Sequence, residues 1–443
     1  MRIRGSRATS DAPLALDSGA GRKGLKAGAL GMVSSVAIGL ASTAPAYSLA
    51  ATLGLIVAAV GLQAPVVTVL AFIPMLLIAY AYKELNASNA DCGTTFTWAT
   101  RAFGPRTGWM GGWGIIVADI LVMTNLAEIA GIYSFRLLGY HSLANNRLWT
   151  TVAGIVWIIV MTAICFVGIE ISAAVQRWLL FIEMAVLVLF AVTALVKVYT
   201  GNPRTAIHVS PSWFNPLHVP STEALTAGLL AAVFIYWGWD TAVTVNEETA
   251  DSTRIPGRAA VISTVLLLIT YALVATSAQA FAGVGSAGIG LGNRDNAGDV
   301  LSGLGSAVFG SHGTGLFLSK LLILMVLTSA AASAQTTILP MARTVFSMAA
   351  HKALPHDSPA CTADFSPRPG RPSAWAWLPL RYSSCSRRSV ATSWPTPSSQ
   401  SASRSRSTTA SPASRASGTT ARCSPAAPGT SCSRACCRGW AGC

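Results

Sequence analysis

Charge is what this sequence has least of. Only 11% of its 443 residues are Asp, Glu, Lys or Arg, while 52% are hydrophobic. Soluble domains carry roughly a quarter charged residues, so the composition argues against an ordinary water-soluble enzyme and points to the bilayer. Cysteine is almost missing from most of the chain: Cys92 and Cys165 stand alone before Cys361, and seven of nine lie at or beyond it. Two isolated cysteines suggest neither a disulfide framework nor a metal cluster. The six His residues, at 141, 208, 218, 312, 351 and 356, fall in loops or at helix ends without ligand spacing. No Gly-Lys-Ser/Thr phosphate loop occurs, so ATP-driven transport has no support. No enzymatic constellation emerges, and neither a cofactor nor a metal is expected.

The net charge of +14 belongs mostly to the end of the chain. Residues 365–443 hold eleven Arg and no Asp, Glu or Lys, and removing them leaves +3 for residues 1–364. That is no nucleic-acid signature. The N-terminus is basic and polar (Arg2, Arg4, Arg7, Arg22, Lys23, Lys26) and has no convincing secretory cleavage site. It leads into a long apolar run that reads as a membrane span.

Long hydrophobic runs are what the chain has in abundance. A helix needs about 20 mostly apolar residues to cross the hydrocarbon core, and eight stretches qualify: about 27–50, 65–83, 110–135, 149–168, 175–197, 225–245, 260–282 and 315–348. The first and last are long enough to be tilted or broken. Hydrocarbon offers no partner to an unpaired backbone group, so the fold class is all-α, a polytopic helical membrane protein. Lys and Arg concentrate in loops on the side of the N-terminus, which the positive-inside rule places in the cytoplasm. Residues 84–109 form a partly amphipathic cytoplasmic loop. Residues 283–314, rich in Gly and Ser, form an external one.

Beyond about His356 the composition changes. Residues 371–443 contain no Ile, Lys, Asn, Glu, Asp, Phe, Met or His, residue types whose codons are largely rich in A or T. The tail therefore reads as a GC-rich gene translated out of frame. With one choice of GC-rich codons for "HDSPACTADF", the third frame gives R-L-A-R-V-H-R-R-L, a plausible basic cytoplasmic loop. A genuine disordered, low-complexity tail is the alternative. The domain division is thus a disordered cytoplasmic segment, 1–24, a transmembrane region, 25–355, and an unstructured tail, 356–443.

Two spans contain residues that interrupt a helix. "AIGLASTAPAYSLAATLG" carries Pro45 among small and hydroxyl residues, and proline removes a donor and clashes with the preceding turn. "FIYWGWDTAV" carries Gly238, which permits an unwound backbone. Such interruptions often mark mere kinks or close helix contacts. A pair of broken helices is also how carriers point half-helix ends at a solute.

The order of these features resembles the amino acid–polyamine–organocation permeases, especially their amino-acid permease branch. The resemblance rests on "GMVSSVAIGLASTAPAYSLA", "CGTTFTWATRAFGPRTGWMGGW", "GIEISAAVQRWLLFIEM", "YWGWDTAVTVNEETADSTRIPGRA" and "ARTVFSMAAHKALP", and covers about residues 24–355. It implies a LeuT-like inverted repeat of five plus five helices, usually with two more, and a solute held between the first and sixth. By position, Ala41, Ser42, Thr43, Ala44 and Pro45 would form the first break, with free amides facing a carboxylate. Ser-Thr-Ala-Pro departs from the usual Gly-rich break. Tyr236, Trp237, Gly238 and Trp239 would form the second, with aromatic rings gating or lining the pocket.

Ionisable residues inside spans are expensive and are functional candidates by default. Asp240, Asp119, Glu128 and Glu183 meet that description and are the proton-coupling candidates. Glu183 matches a position where proton-coupled relatives carry an ionisable residue beside the first and eighth helices, and burial would favour its neutral form. A hydrogen-bonded structural carboxyl is the other reading of the same residue. Glu247 and Glu248 are read as a solvated helix end with ion pairs, near Arg254 and Arg258. Ser329 and Ser333, one turn apart on the eighth span, are read as small residues for close helix contact rather than as sodium ligands.

The resemblance implies a secondary active amino-acid permease of the plasma membrane, working by alternating access with an amino acid and H+ as its small-molecule partners. About eight of the usual twelve helices precede the tail, so impaired transport is expected. A non-transporting membrane fragment or interaction protein, as from a pseudogene, is the alternative. Reading the gene's other frames for further apolar spans beyond codon 355 discriminates the two.

Overall fold

The computed structural model describes residues 25–354 apart from 26, 168, 202 and 297; for 166, 167, 169–172 and 295 it describes the backbone only. The segments 1–24 and 356–443, expected to be disordered, lie outside the described residues.

All eight expected spans are helical. The first is split into α1 (Met32–Ser42) and α2 (Pro45–Val60), and α3 (Ala64–Ser88) follows through a short 3-10 turn. Next come α4 (Thr95–Phe103), α5 (Pro105–Leu138), the single turn α6 (His141–Ala144), α7 (Arg147–Val167) and α8 (Ile169–Thr200). The sixth span is split into α9 (Thr222–Ile235) and the short α10 (Thr241–Thr244). The chain continues with α11 (Ile255–Ala282), α12 (Val300–Phe309) and α13 (Gly313–Ala350). No strand occurs among the described residues; one isolated bridge joins Leu30 to Thr249.

Local chemistry accounts for the boundaries. The Ser221 hydroxyl accepts the Ala224 amide at 3.0 Å and starts α9, and Asp299 accepts the Ser302 amide at 3.2 Å and starts α12; both satisfy amides that a first helical turn leaves open. Gly104, at φ +94°, ends α4, and Pro105 opens α5 directly behind it, where its missing N–H is no loss.

Two expected loops contain more order than their composition suggested. Residues 84–109 include α4, whose Phe96, Thr97 and Trp98 are buried. Residues 283–314 include α12, which packs on α13 through buried Val300, Leu301, Leu304 and Val308. The last span, expected to be tilted or broken, is continuous: α13 runs 38 residues, about 57 Å at 1.5 Å per residue.

The broken spans lie at the centre. α1 packs against α8, α11 and α13, and α2 against α9; α11 crosses α3 and α8, and α13 crosses α5 and α7. The main core cluster gathers Ile56 and Val60 of α2, Phe190 of α8, Tyr271 of α11 and Met325 of α13. Large apolar side chains such as Trp178, Phe181, Leu230 and Ile269 face outward. In water that belt would be a severe liability; against lipid tails it costs nothing. Six helical stretches are long and apolar enough to cross a membrane, with Met32–Ser88 counted as one. Two interrupted spans set against each other are the central feature that the resemblance implies.

Candidate functional site

The interruption between α1 and α2 is built by two residues. Pro45 cannot continue α1, because it lacks an amide and its ring strikes the carbonyl four residues back, yet it suits the first position of α2. Ala44 bridges the two halves at φ +46°, ψ +67°, a left-handed conformation that costs a residue with a Cβ of order 1–3 kcal/mol and persists only where its surroundings enforce it. The second interruption turns at Gly238, φ +119°.

These two openings touch. A Cβ at Gly238 would lie 2.7 Å from the Ser42 carbonyl oxygen and 3.0 Å from the Thr43 nitrogen, so glycine is required for the two backbones to approach. The Ser42 and Thr241 hydroxyls lie 2.8 Å apart and tie the halves together.

Backbone groups that the breaks release are taken up by side chains, as burial demands. The Ser333 hydroxyl donates to the Ser42 carbonyl at 2.7 Å, the Ser48 hydroxyl to the Thr43 carbonyl at 2.6 Å, and the Tyr271 hydroxyl to the Ile235 carbonyl at 2.7 Å. At the start of α2 the acceptor is an acid. Glu183 of α8 accepts the Ala46 amide at 2.8 Å and the Ser329 hydroxyl at 2.7 Å, while the Tyr47 amide makes a long contact of 3.5 Å with Ser329 Oγ. A carboxylate at a helix N-terminus is favoured by both the open amides and the helix dipole. Ser329 and Ser333, read from the sequence as spacers for helix contact, are therefore hydrogen-bonding members of the site.

Beside the breaks lies a cavity of about 40 Å³, lined by Ser42, Thr43 and Ala44 from the first opening and by Trp237, Gly238 and Asp240 from the second. α5 contributes Asp119, Val122 and Leu126, spaced three and four apart so that they share one face. α13 contributes Ser333, Thr337 and Pro340, and α2 contributes Tyr47 and Ser48. Asp119 is 8% exposed, and its Oδ2 has no hydrogen-bond partner among the described residues. Among the described residues, no Lys, Arg or His lines this cavity.

Several expected residues point elsewhere. Ala41 lies in the last turn of α1 and Pro45 begins α2, and neither lines the cavity. Tyr236 is buried on the far side: its hydroxyl donates to the Thr68 carbonyl at 3.1 Å, and its ring meets Tyr271 edge-on at 5.0 Å. Trp239 is buried in a separate cluster with Ala79, Trp98, Val243 and Ala260, edge-on to Tyr82 at 5.3 Å. Of the three aromatics at the second break, only Trp237 faces the cavity, because consecutive residues of an unwound turn project in different directions. Glu128 lies two residues past Leu126 on α5, nearly opposite the lining face, and does not reach the cavity.

Glu247 and Glu248, expected to be solvated near Arg254 and Arg258, are 6% and 4% exposed. Glu248 binds Arg343 of α13 through two nitrogens, at 2.8 and 3.0 Å, and its carbonyl accepts the Leu30 amide at 3.0 Å. Glu247 accepts the Cys92 amide at 3.0 Å. Asn246 donates to Asn86 at 2.7 Å. These bonds close one end of the broken-helix pair.

Tyr47, Ser48, Val122, Leu126, Thr337 and Pro340 are lining residues that sequence reasoning missed. Pro340 inside a long span, with Ser333 and Thr337 one turn apart before it, was the available signal.

A family model described as amino acid permease matches residues 28–384. An uncharacterized transporter of Mycobacterium tuberculosis is 25% identical over 205 residues, 46% of this chain and 42% of its own length. The low-affinity putrescine importer PlaP of Escherichia coli is 24% identical over 52% of this chain and 49% of its own. The branched-chain amino acid permease BcaP of Lactococcus lactis is 22% identical over 44% of each. The chain spans less than half the length of these curated relatives. A crystal structure of the Eremococcus coleocola manganese transporter, in complex with an aromatic bis-isothiourea substituted compound, aligns with 80% of this chain and 72% of its own, at 15% identity and a TM-score of 0.45.

Proposed function

The chain belongs to the amino acid permease family, and from that premise we propose that it is a secondary active transporter carrying a small amine-bearing solute, an amino acid or a polyamine, across the cytoplasmic membrane by alternating access. The observation that carries this reading is the contact of the two openings, Gly238 against Ser42, with a partly polar cavity beside it. A helix interrupted in mid-membrane is tolerated where its backbone is buried in protein or lines a cavity. Two such interruptions in contact form a hinge between the parts that must rock. Ser42, Thr43, Ala44, Trp237 and Gly238 are the solute-facing residues of this proposal. The N-terminus lies in the cytoplasm, following the Lys and Arg of the loops.

Coupling to protons is assigned to Glu183. It is 2% exposed and holds α2 and α13 together through one carboxylate oxygen. A change in its protonation alters that junction, the place where the two moving parts meet. Asp119 and Asp240 face the solute cavity instead, and Glu128 has no part in the site.

The test is reconstitution of the purified chain into sealed vesicles with an imposed pH gradient, scored by uptake of labelled amino acids and amines. Solute accumulation that collapses with the gradient supports the reading. Flux indistinguishable from protein-free vesicles, for every solute, overturns it.

A further inference from the structure

The start of α5 and the far end of α13 border a groove of about 720 Å³ that shares no residue with the solute cavity. α4 brings Phe96 and Arg101 to it, α5 brings Arg106 and Trp109, and the chain just past α13 brings His351 and Lys352. Phe96 is buried and meets the His351 ring edge-on at 5.8 Å. The groove lies two turns beyond Arg343 on α13, at the end of the molecule assigned above to the cytoplasm.

Its charge is all of one sign. Three permanent cations, Arg101, Arg106 and Lys352, share the wall with no Asp or Glu among the described residues, and none of the three forms an ion pair with a described residue. Like charges gathered without a counter-charge repel one another. His351 Nδ1 donates to the Ser347 carbonyl at 2.8 Å, which leaves Nε2 for another partner. Pro105 and Arg106, the first residues of α5, bring the positive end of that helix to the same wall, where it favours an anion.

The fold accepts strain to keep one of these cations. The Lys352 amide bonds the Ala349 carbonyl and the Ala353 amide bonds the Met348 carbonyl, a helix cap whose turning residue is usually glycine. Lysine occupies it at φ +56°, a conformation unfavourable for a residue with a Cβ.

Beside the cations the surface is apolar. Phe103, Trp109, Met110 and Trp113 are exposed, and the Trp109 and Trp113 rings stack at 5.7 Å. Tryptophan with exposed apolar neighbours suits the boundary between headgroups and acyl chains. The rest of the chain is no substitute for the missing anion, since residues 365–443 bring eleven Arg and no acid.

We infer that this groove binds an anionic phospholipid, its phosphate among Arg101, Arg106, His351 and Lys352 and its acyl chains along Trp109 and Met110. Basic pockets between helices at the cytoplasmic face suit such headgroups.

The test is lipid binding to the purified full-length chain, by native mass spectrometry and by melting temperature, with dioleoyl phosphatidylglycerol, dioleoyl phosphatidylcholine and free glycerol phosphate. Phosphatidylglycerol is expected to bind at least tenfold more tightly than phosphatidylcholine and to raise the melting temperature, with glycerol phosphate having no effect. Lys352→Gly relaxes the cap, so it should be at least as stable as wild type without lipid, yet it should bind phosphatidylglycerol about fivefold more weakly, the scale of one basic residue at an anionic surface. Arg101→Gln/Arg106→Gln should lose about twenty-fold on the same scale. Equal binding of the two lipids overturns the inference, as does undiminished phosphatidylglycerol binding by Lys352→Gly. Displacement of the lipid by glycerol phosphate would give the groove to a soluble phosphate and overturn it too. The comparison of lipids on the wild-type chain decides the matter even where a variant does not fold.

Discussion

Gly238 lies directly against the peptide between Ser42 and Thr43, so close that a methyl group in place of its hydrogen would stand 2.7 Å from the Ser42 oxygen. Two helices far apart in sequence therefore depend on the smallest residue for their contact. The same glycine sits at φ +119°, where any other residue is strained.

Gly238→Ala should consequently separate the two openings. Overpacking of this kind costs about 1–3 kcal/mol, to which the strained dihedral adds. The expected outcome is a lower melting temperature together with loss of most solute uptake. A variant that keeps both wild-type stability and wild-type uptake would show that the contact is dispensable.

Glu183 serves two roles that different substitutions separate. Glu183→Gln keeps an acceptor for the Ala46 amide and the Ser329 hydroxyl but carries no titrating proton. It should bind solute within a few-fold of wild type, while its uptake no longer responds to an imposed pH gradient. Glu183→Ala leaves the Ala46 amide buried without a partner, which costs about 1–3 kcal/mol, and should melt at a lower temperature than the Gln variant. Equal gradient dependence in wild type and Glu183→Gln would remove Glu183 from the coupling step.

The neighbouring tryptophans should behave differently. Trp237→Ala is expected to change apparent solute affinity with little effect on stability, because Trp237 lines the cavity. Trp239→Ala empties a buried cluster and should cost about 3–5 kcal/mol, seen as a fall in melting temperature. Solute selectivity among the molecules that still fold should be unchanged. The opposite pattern would mean that the second break is oriented differently in solution.

Arg343 and Glu248 form a buried, two-pronged ion pair. Removing one partner strands the other's charge, a loss of about 3–5 kcal/mol, whereas removing both avoids that cost. Arg343→Met should therefore destabilise the protein more than the double variant Arg343→Met/Glu248→Leu. Melting temperatures of the four proteins in a double-mutant cycle measure the coupling, and additive effects would contradict it.

The spans were legible from the sequence because the rule behind them is one-dimensional: in hydrocarbon each backbone amide must be paired within its own segment, so a run of apolar residues long enough to cross is a helix. The two interruptions were legible for an equally local reason, since Pro45 and Gly238 act on the backbone at their own positions. Order in the loops was not, because α12 owes its stability to the face of α13 it covers rather than to its own composition. Which side chains converge was decided only by tertiary structure. Asp119 and Glu128 look alike in the sequence, as do Trp237 and Trp239, yet one of each pair reaches the cavity. On α5 the choice follows from which face of that helix turns inward, Glu128 lying nearly opposite Asp119. At the second break it follows from the unwound backbone at Gly238, on either side of which Trp237 and Trp239 meet different neighbours. Glu248 likewise found its partner on α13 rather than among the arginines next to it in the chain, because a buried charge pairs with whatever the fold brings within reach.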